Sequence, residues 1–180
     1  MKIFRLLSAL LDYPSNGFLD ALRELAAKEP YAFVESLDEE VALSAEEYRS
    51  VADFITMLLA ADPLELQGAY VQSFDLTAEH SLHLTHHIFG EEKSRGPALI
   101  DLGEFYRSYG LQADEKELPD YLPVMLEFCS TLSIGEAWIF LGDVAKVLKV
   151  LADNLEKSAS PYAPLVRIVE KQGSLTRLAA

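Results

Sequence analysis

Four histidines, His80, His83, His86 and His87, fall within eight residues, and the 180-residue chain has no others. Neutral imidazoles four apart in a helix share a face and can ligate a divalent metal. His83 and His87, with Asp75 or Glu79 adding a carboxylate, therefore define one chemistry to weigh: a metal-binding hydrolase or sensor. The surrounding pattern does not extend it, because there is no HExxH, no cysteine partner and no distant residue spaced to complete a tetrahedral site. The alternative is structural: Leu82 and Leu84 pack inward while the histidines bond to loop carbonyls. A second group of chemistry-bearing residues runs Asp114-Glu115-Lys116-Glu117-Leu118-Pro119-Asp120-Tyr121-Leu122-Pro123. Paired carboxylates suit acid–base work, but no pocket or second catalytic partner is legible. Glu117 and Asp120 are better explained near a helix start, where acids cap and oppose the macrodipole. No catalytic residue, metal ligand or cofactor is assigned.

The single cysteine, Cys129, excludes a disulfide framework and any CxxC pair, and its apolar run predicts a buried, inert thiol. Neither GxxxxGK[ST] nor GxGxxG occurs, so no phosphate-binding loop is indicated.

Those residues need elements to position them, and the hydrophobic spacing is helical almost throughout. The start, Met1-Lys2-Ile3-Phe4-Arg5-Leu6-Leu7, suits an amphipathic first helix rather than a signal peptide, since the apolar run stops at Asp12-Tyr13-Pro14 without a cleavage site. Ser44 and Glu47 make a capping-box pattern opening a helix over 44–61. Asp62 and Pro63 open the next, which carries Leu66, Tyr70 and Phe74. Gly90 to Pro97 reads as an exposed, charged loop. Pro97 then starts a helix that Gly110 ends. Pro119 to Leu132, 136–155 and 162–171 complete the series. Strand alternation and hairpin turns are absent. The expectation is an all-α, single-domain helical bundle over 1–172, with 173–180 a frayed tail.

Net charge is −14, with half of the residues hydrophobic. That content argues against disorder, and the acidity argues against nucleic acid and anionic membrane surfaces. No stretch reaches the ~20 apolar residues of a membrane span, so the chain is expected to be soluble and cytoplasmic, without direct membrane insertion. Twelve acids against three bases lie in 20–65, whereas 143–180 carries four acids and six bases. An acidic face over the first three-quarters favours a cationic peptide partner.

Three strings in order carry a resemblance over roughly residues 1–155. They are Tyr70-Val71-Gln72-Ser73-Phe74-Asp75 followed by His80-Ser81-Leu82-His83-Leu84-Thr85-His86-His87; then Arg95-Gly96-Pro97-Ala98-Leu99-Ile100-Asp101-Leu102; then Glu117-Leu118-Pro119-Asp120-Tyr121-Leu122-Pro123. Together they resemble the nitrate reductase assembly chaperones, the NarJ group of the TorD/DmsD-like chaperones of molybdenum-cofactor enzymes. The third string is similar to the wider family's E-x-P-D-H motif, with Tyr121 where many members have His. The resemblance implies a TorD-like helical bundle and a non-catalytic chaperone that holds no cofactor of its own. It would bind the N-terminal, leader-like segment of the catalytic (alpha) subunit of respiratory nitrate reductase. The subunit would thereby stay competent for molybdenum cofactor insertion, complex assembly and membrane docking.

An amphipathic, basic leader would lay its apolar face in a groove between helices and meet acidic rims. Glu117, Asp120, Tyr121, Tyr70, Phe74 and Tyr106 are the expected peptide contacts, Glu117 and Asp120 because their loop should be exposed. Asp75, the four histidines, Arg95, Gly96, Pro97 and Pro119 mark the family signature.

Overall fold

The computed structural model describes residues 1–26, 29–37, 41, 43–90, 93–111 and 117–175. Among them are ten α-helices and no strand. The all-α expectation holds, and one isolated antiparallel bridge joins His83 to Tyr121.

Helix α1 (Lys2–Leu11) buries Ile3, Phe4, Leu7, Leu10 and Leu11, a stripe at the helical period. It packs on α8 (Leu122–Thr131), whose Met125, Leu126, Phe128 and Cys129 face inward. Helices α2 (Asn16–Ala26) and α3 (Pro30–Glu35) lean on α4 (Ala45–Ala60), and α4 meets the last helix, α10 (Ala163–Ser174). The longest helix, α9 (Ile134–Lys157), lies along α10 and touches α8. Between these layers run α5 (Pro63–Tyr70), a π turn (Val71–Asp75), a 3-10 turn (Ala78–His80), α6 (His86–Phe89) and α7 (Arg95–Ser108). Cys129 is fully buried, and burial pushes its thiol up to about 12, as an inert core cysteine requires.

Local chemistry sets the boundaries. Ser44 and Glu47 exchange both capping-box bonds, at 2.7 and 3.2 Å. Asp62 accepts from Leu64 N–H at 2.9 Å, with Pro63 in the first turn. A second box, Ser133 with Glu136, opens α9. Gly110, at φ +76°, ends α7 in the left-handed conformation that glycine adopts without a Cβ clash.

Three sequence expectations are corrected. Arg95 and Gly96 belong to α7, which begins two residues before Pro97; proline is tolerated in a first turn because its missing N–H would be unpaired there. Helix α8 begins at Leu122, not Pro119, because Leu118 to Tyr121 form a turn closed by Tyr121 N–H on Leu118 O at 3.0 Å. Fraying does not begin at Gly173: α10 continues to Ser174, and a Cβ on Gly173 would stand 2.6 Å from Leu141 O. That glycine lets α10 close on α9, and residues 176–180 lie outside the described part.

Candidate peptide groove

The two signature stretches, far apart in sequence, form one unit. Leu84 N–H donates to Asp120 O at 3.0 Å and Leu122 N–H to Leu82 O at 2.9 Å, which makes the bridge. Leu82 and Leu84 are buried on either side of His83, as their alternation predicts. Asp120, at the bridge, is 1 % exposed. The expectation of an exposed Asp120 is therefore corrected, and so is its capping role, since its carboxylate turns toward residues 83–85 and not onto α8.

Both Asp120 oxygens are occupied. Oδ1 lies 3.3 Å from His83 Nδ1. Oδ2 accepts from Thr85 N–H at 3.1 Å and from the Thr85 hydroxyl at 2.5 Å, with Arg95 Nη2 at 3.6 Å. Arg95 Nε also donates to Thr85 Oγ1 at 2.9 Å. Burial alone would raise the Asp120 carboxyl, but the hydrogen bonds from His83 and Thr85 outweigh it and hold the group below the usual carboxylate range. It is an anion in the fold.

One residue on, Tyr121 turns the other way. Its hydroxyl donates to Asp12 Oδ1 at 3.0 Å and sits 2.7 Å from the Tyr70 hydroxyl, which reaches Leu11 O at 3.0 Å. Its ring lies 5.1 Å from that of His83. Tyr106 donates to Pro119 O at 2.8 Å and fixes the middle of the turn. Burial raises the Tyr70, Tyr106 and Tyr121 phenols well above their ordinary range, so all three act as neutral donors.

A groove of about 450 Å³ opens beside this turn, between α1, α7 and α8. Its walls include Tyr106, Tyr121, Pro123, Val124 and Phe128, with the carboxylates Asp12, Glu117 and Glu127 among them and no Lys or Arg among the described lining residues. A smaller cleft of about 220 Å³ on the other side of the turn, between α6, α7 and α9, has Phe105, Phe140 and Val144 on its wall and Asp143 as its exposed acid.

Of the expected contacts, Glu117 is exposed and Tyr121 partly so, and both line the larger groove; Tyr106 is buried but lends its edge. Tyr70 and Phe74 are buried in an aromatic cluster, their rings 4.8 Å apart and Tyr162 4.8 Å from Phe74. Tyr70 stands behind the groove as Tyr121's partner. Asp75, Gly96 and Pro97 are exposed and away from it, while Arg95 turns inward and Pro119 is half-buried in the turn.

The metal alternative loses its geometry. His83 lies in the bridge and His87 in α6, so they share no helix face. His87 Nε2 meets Ser81 O at 2.8 Å and His80 Nδ1 meets Ser73 O at 3.2 Å. His86 packs edge-on to His87. Among the described residues no group of three or more His, Cys, Asp or Glu is placed to hold an ion.

Sequence reasoning missed Asp12, Glu127 and Thr85. Asp12 reads only as a helix stop, and Thr85 sits inside the signature without a chemistry of its own. Glu127 left a signal: with Val124 and Thr131 it makes an i, i+3, i+7 stripe on α8, a charge on an apolar face.

An all-helical chain whose two signature stretches meet beside one groove belongs to the nitrate reductase delta subunit family, whose model matches residues 34–167. Among its relatives, the nitrate reductase molybdenum cofactor assembly chaperone NarJ of Escherichia coli K12 is 33% identical over 166 residues, 92% of this chain and 67% of that protein. The probable chaperone of the same name in Bacillus subtilis 168 is 31% identical over 166 residues, 92% of this chain and 85% of its own length. The probable chaperone NarW of E. coli K12 is 31% identical over 175 residues, 97% and 69% of the two chains. All three are named as assembly chaperones and none as an enzyme. No described helix is long and apolar enough to cross a membrane.

Proposed function

We propose that this chain is a cytoplasmic assembly chaperone whose groove binds the N-terminal, leader-like segment of the catalytic subunit of a respiratory nitrate reductase. Binding holds that subunit competent for molybdenum cofactor insertion, complex assembly and membrane docking, and the chaperone keeps no cofactor itself. The carrying observation is the groove: an apolar floor beside the 117–121 turn, with Asp12, Glu117 and Glu127 on its walls and no base among the described lining. A cationic amphipathic segment fits that combination, its apolar side chains on Val124 and Phe128 and its Lys or Arg groups near the carboxylates. The smaller cleft has one exposed acid, Asp143, and its other carboxylate, Asp120, is buried and already engaged by Thr85, His83 and Arg95.

Titration calorimetry with a synthetic peptide matching that N-terminal segment tests the reading. Wild type should bind it, and Glu117→Gln with Glu127→Gln should weaken binding about tenfold, or about 1.4 kcal/mol. Equal affinity for a peptide whose Lys and Arg are replaced by Gln would overturn the charge argument. Absence of wild-type binding would overturn the groove as the client site.

A further inference from the structure

Asp120 and Tyr121 are adjacent and do opposite things. Tyr121 lines the groove, whereas neither Asp120 nor its partners Thr85 and Arg95 does. Asp120 and Thr85 border the smaller cleft instead, and each Asp120 oxygen already has a protein partner, so a client lying in the larger groove does not meet that carboxylate. The Thr85 hydroxyl has one proton. Arg95 Nε donates to its oxygen, so that proton goes to Asp120 and the order Arg95, Thr85, Asp120 has a fixed polarity. The backbone repeats the connection, since the peptide groups around Asp120 pair with those around His83. Side chain and main chain of one residue thus grip the same short segment, and the first residue of α7 closes the grip.

We propose that Asp120, Thr85 and Arg95 are positioning residues for client recognition: they clasp the 82–85 segment to the 117–121 turn so that Tyr121 and Glu117 face the groove, and they do not touch the client. This rests on the groove being the client site. It assigns the buried aspartate a role opposite to that of a surface anion, and it gives Thr85 and Arg95 a function that no groove contact would supply.

The test uses the full chain, the same peptide, and the side-chain nitrogen resonances of the four histidines. Thr85→Val removes the hydroxyl that joins Arg95 to Asp120. It should weaken peptide binding about tenfold, the size expected when one charge-assisted bond is lost, and move the His83 imidazole signals in the free protein. Thr85→Ser keeps the hydroxyl and should bind within twofold of wild type. Glu117→Gln should weaken binding and leave the His83 signals in place. If Thr85→Val does not fold, Arg95→Gln cuts the same connection from its half-buried end and is read the same way. Wild-type affinity in Thr85→Val, or equal weakening in Thr85→Ser and Thr85→Val, would overturn the clasp while the groove reading stands. Failure of the wild-type protein to bind the peptide would overturn the groove reading, and the proposal with it.

Discussion

Glu117 and Asp120 belong to one short motif, and alanine at each should give opposite results in an unfolding experiment. Glu117 is exposed, and its truncation should change stability by no more than ~0.5 kcal/mol. Asp120→Ala removes the acceptor of three hydrogen bonds, two of them from Thr85. His83 is a third exposed and can turn to water, and half-buried Arg95 can do so in part. The Thr85 N–H is buried and spends its bond on that carboxylate. An orphaned buried donor costs about 1–3 kcal/mol, and breaking a buried charged pair by removing one partner costs about 3–5 kcal/mol. With two of the four donors recoverable by solvent, about 3 kcal/mol is expected. At a urea dependence of about 2 kcal/mol per molar, the midpoint should fall by about 1.5 M. Urea unfolding at pH 7, followed by far-ultraviolet circular dichroism, measures both variants. A loss below about 0.5 kcal/mol for Asp120→Ala, or an equal loss for Glu117→Ala, would refute the buried-anion account.

Two further outcomes follow from packing and protonation. Gly173→Ala should lower stability by about 1–3 kcal/mol, because the new Cβ meets Leu141 backbone at 2.6 Å and α9 and α10 must part; a thermal melt showing the gain usual for Gly→Ala in a helix would contradict that approach. Burial holds the His87 imidazole below its usual value even though Ser81 O favours its charged form. Below about pH 6.5 the unfolded chain therefore takes a proton that the folded chain refuses, and stability falls as pH drops. His87→Gln should make denaturation midpoints less steep between pH 7.5 and 5.5, and unchanged steepness would exclude this contribution.

The helices that were legible carry an apolar stripe, and several carry a boundary signal of their own: Ser44 with Glu47, Asp62 with Pro63, Gly110 after α7; the short α3 and α6 offer neither a side-chain cap nor a full stripe. The Ser133 and Glu136 box follows the same rule but was missed, so the helix read as 136–155 starts two residues earlier, at Ile134. What the residues alone did not disclose is the pairing of His83 with Tyr121, since a single bridge leaves no periodicity. Asp120 shows why that matters. A loop crowded with carboxylates reads as solvated, and only the donors gathered from Thr85, His83 and Arg95 make burial of one of them favourable. Asp12 was hidden for a related reason: its partner, Tyr121, lies 109 residues away in sequence, and a helix stop explained it locally.

The distribution of bases explains why acidity becomes directional at the groove. Arg167 engages Asp153, Glu156 and Glu170; Lys171 reaches Glu47 at 2.9 Å and Lys149 reaches Asp153 at 2.6 Å. Arg95 is committed to Asp120 and Thr85. The C-terminal bases thus neutralise acids along α4, α9 and α10, while Asp12, Glu117 and Glu127 share a groove with no described base. Carboxylates at a groove rim are screened over about 10 Å at 0.1 M salt, so they steer approach and orientation and add a modest share of the affinity. The larger share must then come from apolar contact with Val124, Phe128 and the face of Tyr121. A client segment is therefore selected twice, by cationic groups that align it and by apolar side chains spaced to reach that floor. A basic peptide without the apolar spacing meets only the first requirement.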